Sequence, residues 1–302
     1  MMKRLYLALL TLSLIWGMSF LFIKLLLLDL GVLGVVFWRC FFGAVTLLIL
    51  LIVQKKLSGL KKIPITPIFF IALLNNALPW ALIAISETSI SSSMASVINA
   101  TTPIWTIIIG YFIFSSKLER MQWLGITVGF FGILVLLELN IVQLFHDNLL
   151  GVGTMLGATI CYGYGAHLSR KYLQNIPITI ISFATLAMAG IISGIVMLFF
   201  QPDGFVAIGN SITIASLIGL GVFGSGIAYL LYYYMVKEGS AEFASLVTYL
   251  VPITAMVWGS FLLQEEITFH MLFGLILIFS GVYLSSYKTK AKKQNTVKKI
   301  AV

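Results

Sequence analysis

Charge is scarce in this chain of 302 residues: 10% of its side chains are charged, 10 of them acidic. Read along the sequence, the acids Asp29, Glu87, Glu119, Glu138, Asp147, Asp203, Glu238, Glu242, Glu265 and Glu266 all fall at the ends of long apolar runs or between them. Cysteine is down to two, Cys40 and Cys161, both inside apolar runs. They read as small buried hydrophobes, with neither a disulfide framework nor a cysteine metal site in prospect. The three histidines, His146, His167 and His270, are scattered. Membrane enzymes acting on phosphorylated or prenyl lipids generally need clustered carboxylates, histidines or a metal. No Ser/His/Asp or Cys/His constellation and no ATP-binding loop is present, so an enzyme or a primary pump is disfavoured, and neither cofactor nor metal is expected. The stretch Gly219-Leu-Gly221-Val-Phe-Gly224 fits G-x-G-x-x-G, but it sits in an apolar run with no strand before it. A dinucleotide site is therefore rejected in favour of close helix packing, and Gly125/Gly129, Gly153/Gly157 and Gly190/Gly194 are read in the same way.

What the chain has in excess is apolar surface. With 60% hydrophobic residues, 22 Phe and a mean hydropathy of +1.06, it carries more than a soluble domain of this size could bury. It reads as an all-α integral membrane protein. Ten runs are long enough for the roughly 17 to 25 residues that a crossing needs. They are 5–28, 32–53, 68–85, 90–114, 121–138, 149–169, 178–200, 212–236, 240–263 and 268–287. Met1-Met2-Lys3-Arg4 gives the first run the look of a signal peptide, but the run is too long and no small-residue cleavage site follows, so it is expected to be retained.

Basic residues stand at Lys3 and Arg4, in alternate connectors (Lys55, Lys56, Lys61, Lys62; Lys117, Arg120; Arg170, Lys171; Lys237), and in the tail from Lys288 to Lys299. The positive-inside rule then places both termini in the cytoplasm of a multi-pass protein of the cell (inner) membrane. The net charge of +9 is topological rather than a nucleic-acid signal. The tail can anchor the topology or contact anionic membrane lipid.

The second half of the chain echoes the first. Ala95-Ser-Val-Ile-Asn-Ala-Thr-Thr-Pro103 returns as Ala244-Ser-Leu-Val-Thr-Tyr-Leu-Val-Pro252. At the same offset of 149, Ser91/Ser240, Ile104/Ile253, Gly110/Gly259, Phe112/Phe261, Gly125/Gly274, Phe130/Phe279 and Gly132/Gly281 also match. This is a duplication. It divides the chain into 1–144, 145–287 and a tail, 288–302. Five crossings per unit is an odd number, so the units must be inverted, an arrangement found in secondary transporters that bind solute near the midplane.

Trp16-Gly17 with Ser19, Phe20 and Lys24, Arg39 opening the second run, the repeated Ala-Ser-x₆-Pro stretch, and Glu265 with Ile267-Thr268 before the last run resemble the EamA-type transporters of the drug/metabolite transporter superfamily. Tyr162-Gly163 and Arg170 stand 146 residues after Trp16-Gly17 and Lys24. The resemblance implies ten helices, cytoplasmic termini, movement of small metabolites, and a central cavity lined mainly by helices 1, 3, 4, 6, 8 and 9. Where the family often has Glu after helix 4, this chain has Ser116.

Three mid-run prolines follow a polar residue by four: Asn75/Pro79, Asn99/Pro103 and Thr248/Pro252. Proline cannot donate to the carbonyl four residues back, so each pair sets a freed acceptor beside a polar side chain on one helical face. Each is either a substrate-contacting notch or a patched kink. Trp16, Asn76, Trp80, Tyr162 and Tyr229 are expected around the notches, while Tyr232, Tyr233 and Tyr234 are assigned to the interfacial belt. Lys24 and Arg39 read as snorkelling to the outer interface, with Asp29 beside Lys24, or alternatively as a gate or carboxylate site.

The chain is thus read as a secondary transporter, most simply an exporter, of a small metabolite such as an amino acid, acting as a monomer or homodimer; the alternative is an integral membrane enzyme or a lipid- or drug-handling membrane protein. Only His167 could titrate from within a run, so the solute is expected to follow its own gradient.

Overall fold

A computed structural model of the chain describes residues 2–115, 118–136, 149–205, 210–238 and 247–286. The tail, Ser116, and the residues Ala244 to Leu246 that open the second proline stretch lie outside them. The described residues build helices and turns. Six helical stretches are long and apolar enough to cross a membrane, and shorter apolar helices cover Arg120–Leu136, Val247–Leu263 and Phe269–Leu284. Apolar side chains such as Leu28, Phe200 and Phe261 point outward at 84%, 80% and 82% exposure, as a surface solvated by lipid requires.

Met2–Val53 is helical on both sides of a sharp kink at Gly31, whose φ of 61° and ψ of −178° favour glycine. Its two arms, 2–30 and 32–53, match the first two predicted runs. Gln201, from beyond the helix Ile178–Phe200, closes the corner: its Nε2 donates to Leu30 O at 2.7 Å and its Oε1 accepts from Leu33 N–H at 3.0 Å. A Cβ on residue 31 would strike the Gln201 amide.

The two arms form the hub. They pack against Ile178–Phe200, the wide helical turn Ile218–Ile227, and Val247–Leu263. Leu78–Ser89 lies on Leu149–Tyr172, and Arg120–Leu136 runs along Phe269–Ser286. Matched glycines set the last contact: a Cβ on Gly132 would fall 2.9 Å from Gly274 O, and one on Gly281 would fall 2.6 Å from Gly125 O. Gly153, expected to serve close packing, has nothing among the described residues within 4 Å of such a Cβ and faces outward.

Two helices widen where they approach the centre. Because Pro79 has no N–H, the helix Ile65–Ala72 passes through the π-turn Leu73–Ala77, with Leu78 N–H reaching back five residues to Leu73 O, before resuming as Leu78–Ser89. Ile218–Ile227 widens without proline: it is rich in glycine, and Ser225 Oγ donates to Leu220 O at 3.2 Å. Pro103 has a different effect. The helix Ser92–Asn99 ends there and Thr102–Phe112 begins, the joint being held by Thr101 Oγ1 on Ile98 O and Thr102 Oγ1 on Asn99 O, each at 2.7 Å.

Candidate functional site

These deformations surround a cavity of about 430 Å³. Among the residues singled out by sequence, Trp16, Arg39, Asn75, Trp80, Asn99, Pro103, Tyr162, Tyr229, Thr248 and Pro252 line it. The proline notches are therefore brought together, from helices far apart in the chain.

The walls are aromatic and held from behind. Trp16 Nε1 donates to Gly224 O at 3.1 Å, and its ring lies 6.0 Å from that of Tyr232. Tyr232 is itself a lining residue, which corrects its assignment to the interfacial belt. It follows Tyr229 by three positions, so it shares that residue's face of the helix Ala228–Glu238, a spacing that the clustered tyrosines obscured. Asn75 Nδ2 donates to Ser169 Oγ at 3.2 Å. Asn99 Oδ1 is buried with no protein partner among the described residues.

Arg39 is the one charged side chain among the described lining residues. Expected at the outer interface, it is instead 8% exposed and sits in the cavity wall, its Cζ 3.8 Å from the centroid of the Trp80 ring and its Nε donating to Ser225 Oγ at 3.1 Å. Its two terminal nitrogens have no protein acceptor among the described residues. A buried guanidinium presenting an unfilled fork is a natural partner for a carboxylate.

The remaining sequence candidates lie off the lining. Asn76 is 2% exposed, next to Tyr229, which it supports from outside the cavity. Pro79 is buried in its helix. His167 Nε2 donates to Thr106 O at 2.8 Å while its ring stacks on Phe114 at 4.6 Å, a packed position off the cavity lining.

Lys24 lies one position beyond the lining residue Ile23, and its Nζ donates to Glu87 O and to Ile90 O. Asp29, expected beside it, instead accepts from Asn210 Nδ2 at 2.9 Å and from Thr213 Oγ1, at the start of the helix Ser211–Leu217. The reason is geometric: side chains three or four apart are neighbours on a helix, and these two are five apart. Glu87, placed between runs by sequence, belongs to Leu78–Ser89 and is fully buried. Glu265 accepts from Ser92 N and Oγ at 2.8 and 2.9 Å and from Ser93 N and Oγ at 2.9 and 2.5 Å, capping the helix Ser92–Asn99 across 173 residues. No group of three or more potential metal ligands occurs among the described residues.

Helical architecture, lipid-facing surface and central cavity define a multi-pass α-helical membrane protein. The model of the EamA-like transporter family matches residues 3–138 and again 149–287. The chain belongs to that family. It is similar to an uncharacterized transporter of Bacillus subtilis, YoaV, at 24% identity over 97% of this chain and all of the relative. An uncharacterized transporter of Archaeoglobus fulgidus is 27% identical over 89% of this chain and 94% of its own length. An uncharacterized inner membrane transporter of Escherichia coli, YedA, is 26% identical over 92% and 91%. A protein of known crystal structure shares the fold at a TM-score of 0.63 and 14% identity, over 94% of this chain and 96% of that one.

Proposed function

We propose that this transporter exports a small metabolite bearing a carboxylate, such as an amino acid, by alternating access. In this reading ten crossings form two inverted five-helix units, 1–144 and 145–287, which rock about the cavity, while both termini and the tail 288–302 stay in the cytoplasm. The cavity takes the solute, with Arg39 receiving its carboxylate, Asn75, Asn99 and Thr248 its polar groups, and the aromatic walls its side chain. Supporting this is one observation above all: a buried arginine with an unfilled fork on the wall of a cavity of ligand size. The family and the relatives support transport as the activity.

The test is efflux from proteoliposomes loaded with labelled leucine, phenylalanine and tryptophan, each beside its methyl ester. Free amino acids should leave and esters should not. Arg39→Met removes a buried charged contact worth roughly 2–5 kcal/mol, so amino acid efflux should fall at least about thirtyfold, with partial retention in Arg39→Lys. Equal movement of esters, or normal efflux by Arg39→Met, would overturn the carboxylate assignment.

A further inference from the structure

Glu87 is buried at the Lys24 end of the cavity, and its carboxyl makes no hydrogen bond among the described residues. Trp80, Ile83 and Glu87 follow one another at spacings of three and four on Leu78–Ser89, so they share a face. Trp80 and Ile83 line the cavity, and Glu87 is one turn further along. On the 2–30 arm, Phe20 and Ile23 line it and Lys24 comes next. Lys24 and Glu87 thus form a layer just beyond the lining at that end.

Within this layer the hydrogen bonding is lopsided. The Lys24 ammonium donates to the backbone carbonyls of Glu87 and Ile90, where Leu78–Ser89 ends, and not to the Glu87 carboxyl. Both carboxyl oxygens of Glu87 are buried with no hydrogen-bond partner among the described residues, as is the neighbouring Ser86 Oγ. The other carboxylate facing Glu87, Glu265, takes four donors. Lys24 and Arg39 are the cations facing it from the two arms. The helix Leu149–Tyr172 meets this end through Gly151, and its first titratable side chain, Cys161, lies ten residues, about 15 Å, along. The helix Ser92–Asn99 carries no titratable side chain.

An ionised carboxylate is costly to bury without a partner, and a neutral acid far less so. The Glu265 oxygens are filled by four donors, whereas the Glu87 carboxyl, buried with both oxygens empty, is a setting that suits an acid carrying its proton. We infer that Glu87 is a proton-coupling site, taking up a proton while the Lys24 end of the cavity is open, carrying it through closure of that end, and giving it up to cavity water when the opposite end is open. This rests on the transport reading above, which places that end outside. A proton from external water joins the Glu87 carboxylate, allowing closure over a neutral side chain. It leaves to water in the cavity once the cytoplasmic end opens. No bond in the solute changes, and with a zwitterionic solute one positive charge enters per proton. Coupling then replaces the simple gradient-driven flow expected from the apparent lack of a carboxylate in the pathway.

Two measurements test this. The first is independent of solute: dicyclohexylcarbodiimide, which attacks protonated carboxyls in apolar surroundings, is reacted with the purified protein and the modified peptide identified by mass spectrometry. Labelling at Glu87 at neutral pH, falling in alkali, is expected; absence of labelling at acid and neutral pH would overturn the proposal. The second uses proteoliposomes containing a trapped pH dye and an equimolar mixture of leucine, phenylalanine and tryptophan. Wild-type solute movement should carry protons, and an inward proton gradient should drive export uphill. Glu87→Gln should lower the protons moved per solute at least tenfold, while Glu87→Asp keeps the coupling. Unchanged proton movement in Glu87→Gln, or uphill export driven by sodium in place of protons, would refute it. If the wild type moves none of the three amino acids, the substrate reading fails and the labelling result alone decides on Glu87.

Discussion

Gly132 and Gly281 stand 149 residues apart, and so do Pro103 and Pro252; the glycines perform one task twice, and the prolines do not. Each glycine brings its helix against backbone of the other stretch, Gly132 beside Gly274 and Gly281 beside Gly125, so the contact between Arg120–Leu136 and Phe269–Ser286 is built from equivalent residues. At the prolines the backbones diverge. The helix breaks between Asn99 and Thr102 in the first stretch, whereas Val247–Leu263 runs through Pro252 unbroken. The difference lies in the two residues before the proline. Thr101 and Thr102 donate hydroxyls to carbonyls three residues back, Thr102 to the very carbonyl that Pro103 leaves free. Their counterparts, Leu250 and Val251, have no hydroxyl. Where the family-matched stretches pack on each other the chain keeps its symmetry, and where they line the cavity it differentiates.

The largest effect should come from breaking the symmetric contact. In Gly281→Ala the new methyl group meets backbone atoms of Gly125 and Gly129, which cannot rotate away. Overpacking of this kind costs about 1–3 kcal/mol, and the fixed obstacle puts the expectation near the upper end. Gly153→Ala is the control: no described residue lies within 4 Å of the added methyl, and alanine in a helix interior gains up to about 1 kcal/mol over glycine. Thermal unfolding in detergent should separate the two variants clearly. A Gly281→Ala protein as stable as Gly153→Ala would show that the matched glycines are not holding the helices together.

Features set by local pattern were the ones legible in sequence. Apolar runs place Ile178–Phe200 to the residue, Gly31 falls in the short gap between the first two runs, and most notch residues do meet at one cavity. What escaped depends on partners remote in the chain. Arg39 is buried because Trp80 offers a ring and Ser225 an acceptor 186 residues away. Glu87 escaped because Ser86-Glu87 looks like the end of an apolar run, whereas neighbouring helices cover that turn. The Glu265 cap joins a connector to a helix start that nothing local pairs with it.

An intermediate effect should separate the two notches chemically. Asn99 Oδ1 is buried at the cavity without a protein partner among the described residues, an acceptor left over for a ligand. Thr248 lines the same cavity with a hydroxyl in place of the amide. Asn99→Ala should therefore slow efflux about tenfold, or roughly 1.4 kcal/mol, and Thr248→Ala by several-fold, with membrane insertion kept in both. Normal efflux by both would make these side chains patches for the proline kinks and nothing more.

The smallest effect tests the hydroxyls that make the prolines differ. Thr102→Val keeps the shape of the side chain but removes the donor to Asn99 O, and a hydrogen bond of this kind contributes roughly 1 kcal/mol. The reciprocal change, Val251→Thr, puts a hydroxyl three residues after Thr248, in register with the carbonyl that Pro252 frees. It should lower stability by less than about 0.5 kcal/mol. Its mark is local: faster amide hydrogen exchange from 248 to 254 as the unbroken helix acquires the joint of its counterpart, read by mass spectrometry. In Thr102→Val, exchange around 99 to 102 should rise as well, because a freed carbonyl loses its donor without regaining a helical one. If Val251→Thr exchanges like the wild type, threonine before the proline is insufficient to break the helix. The joint at Asn99 would then be held by what packs around it, above all the buried Ala100 and Thr101, and not by the hydroxyl bonds themselves.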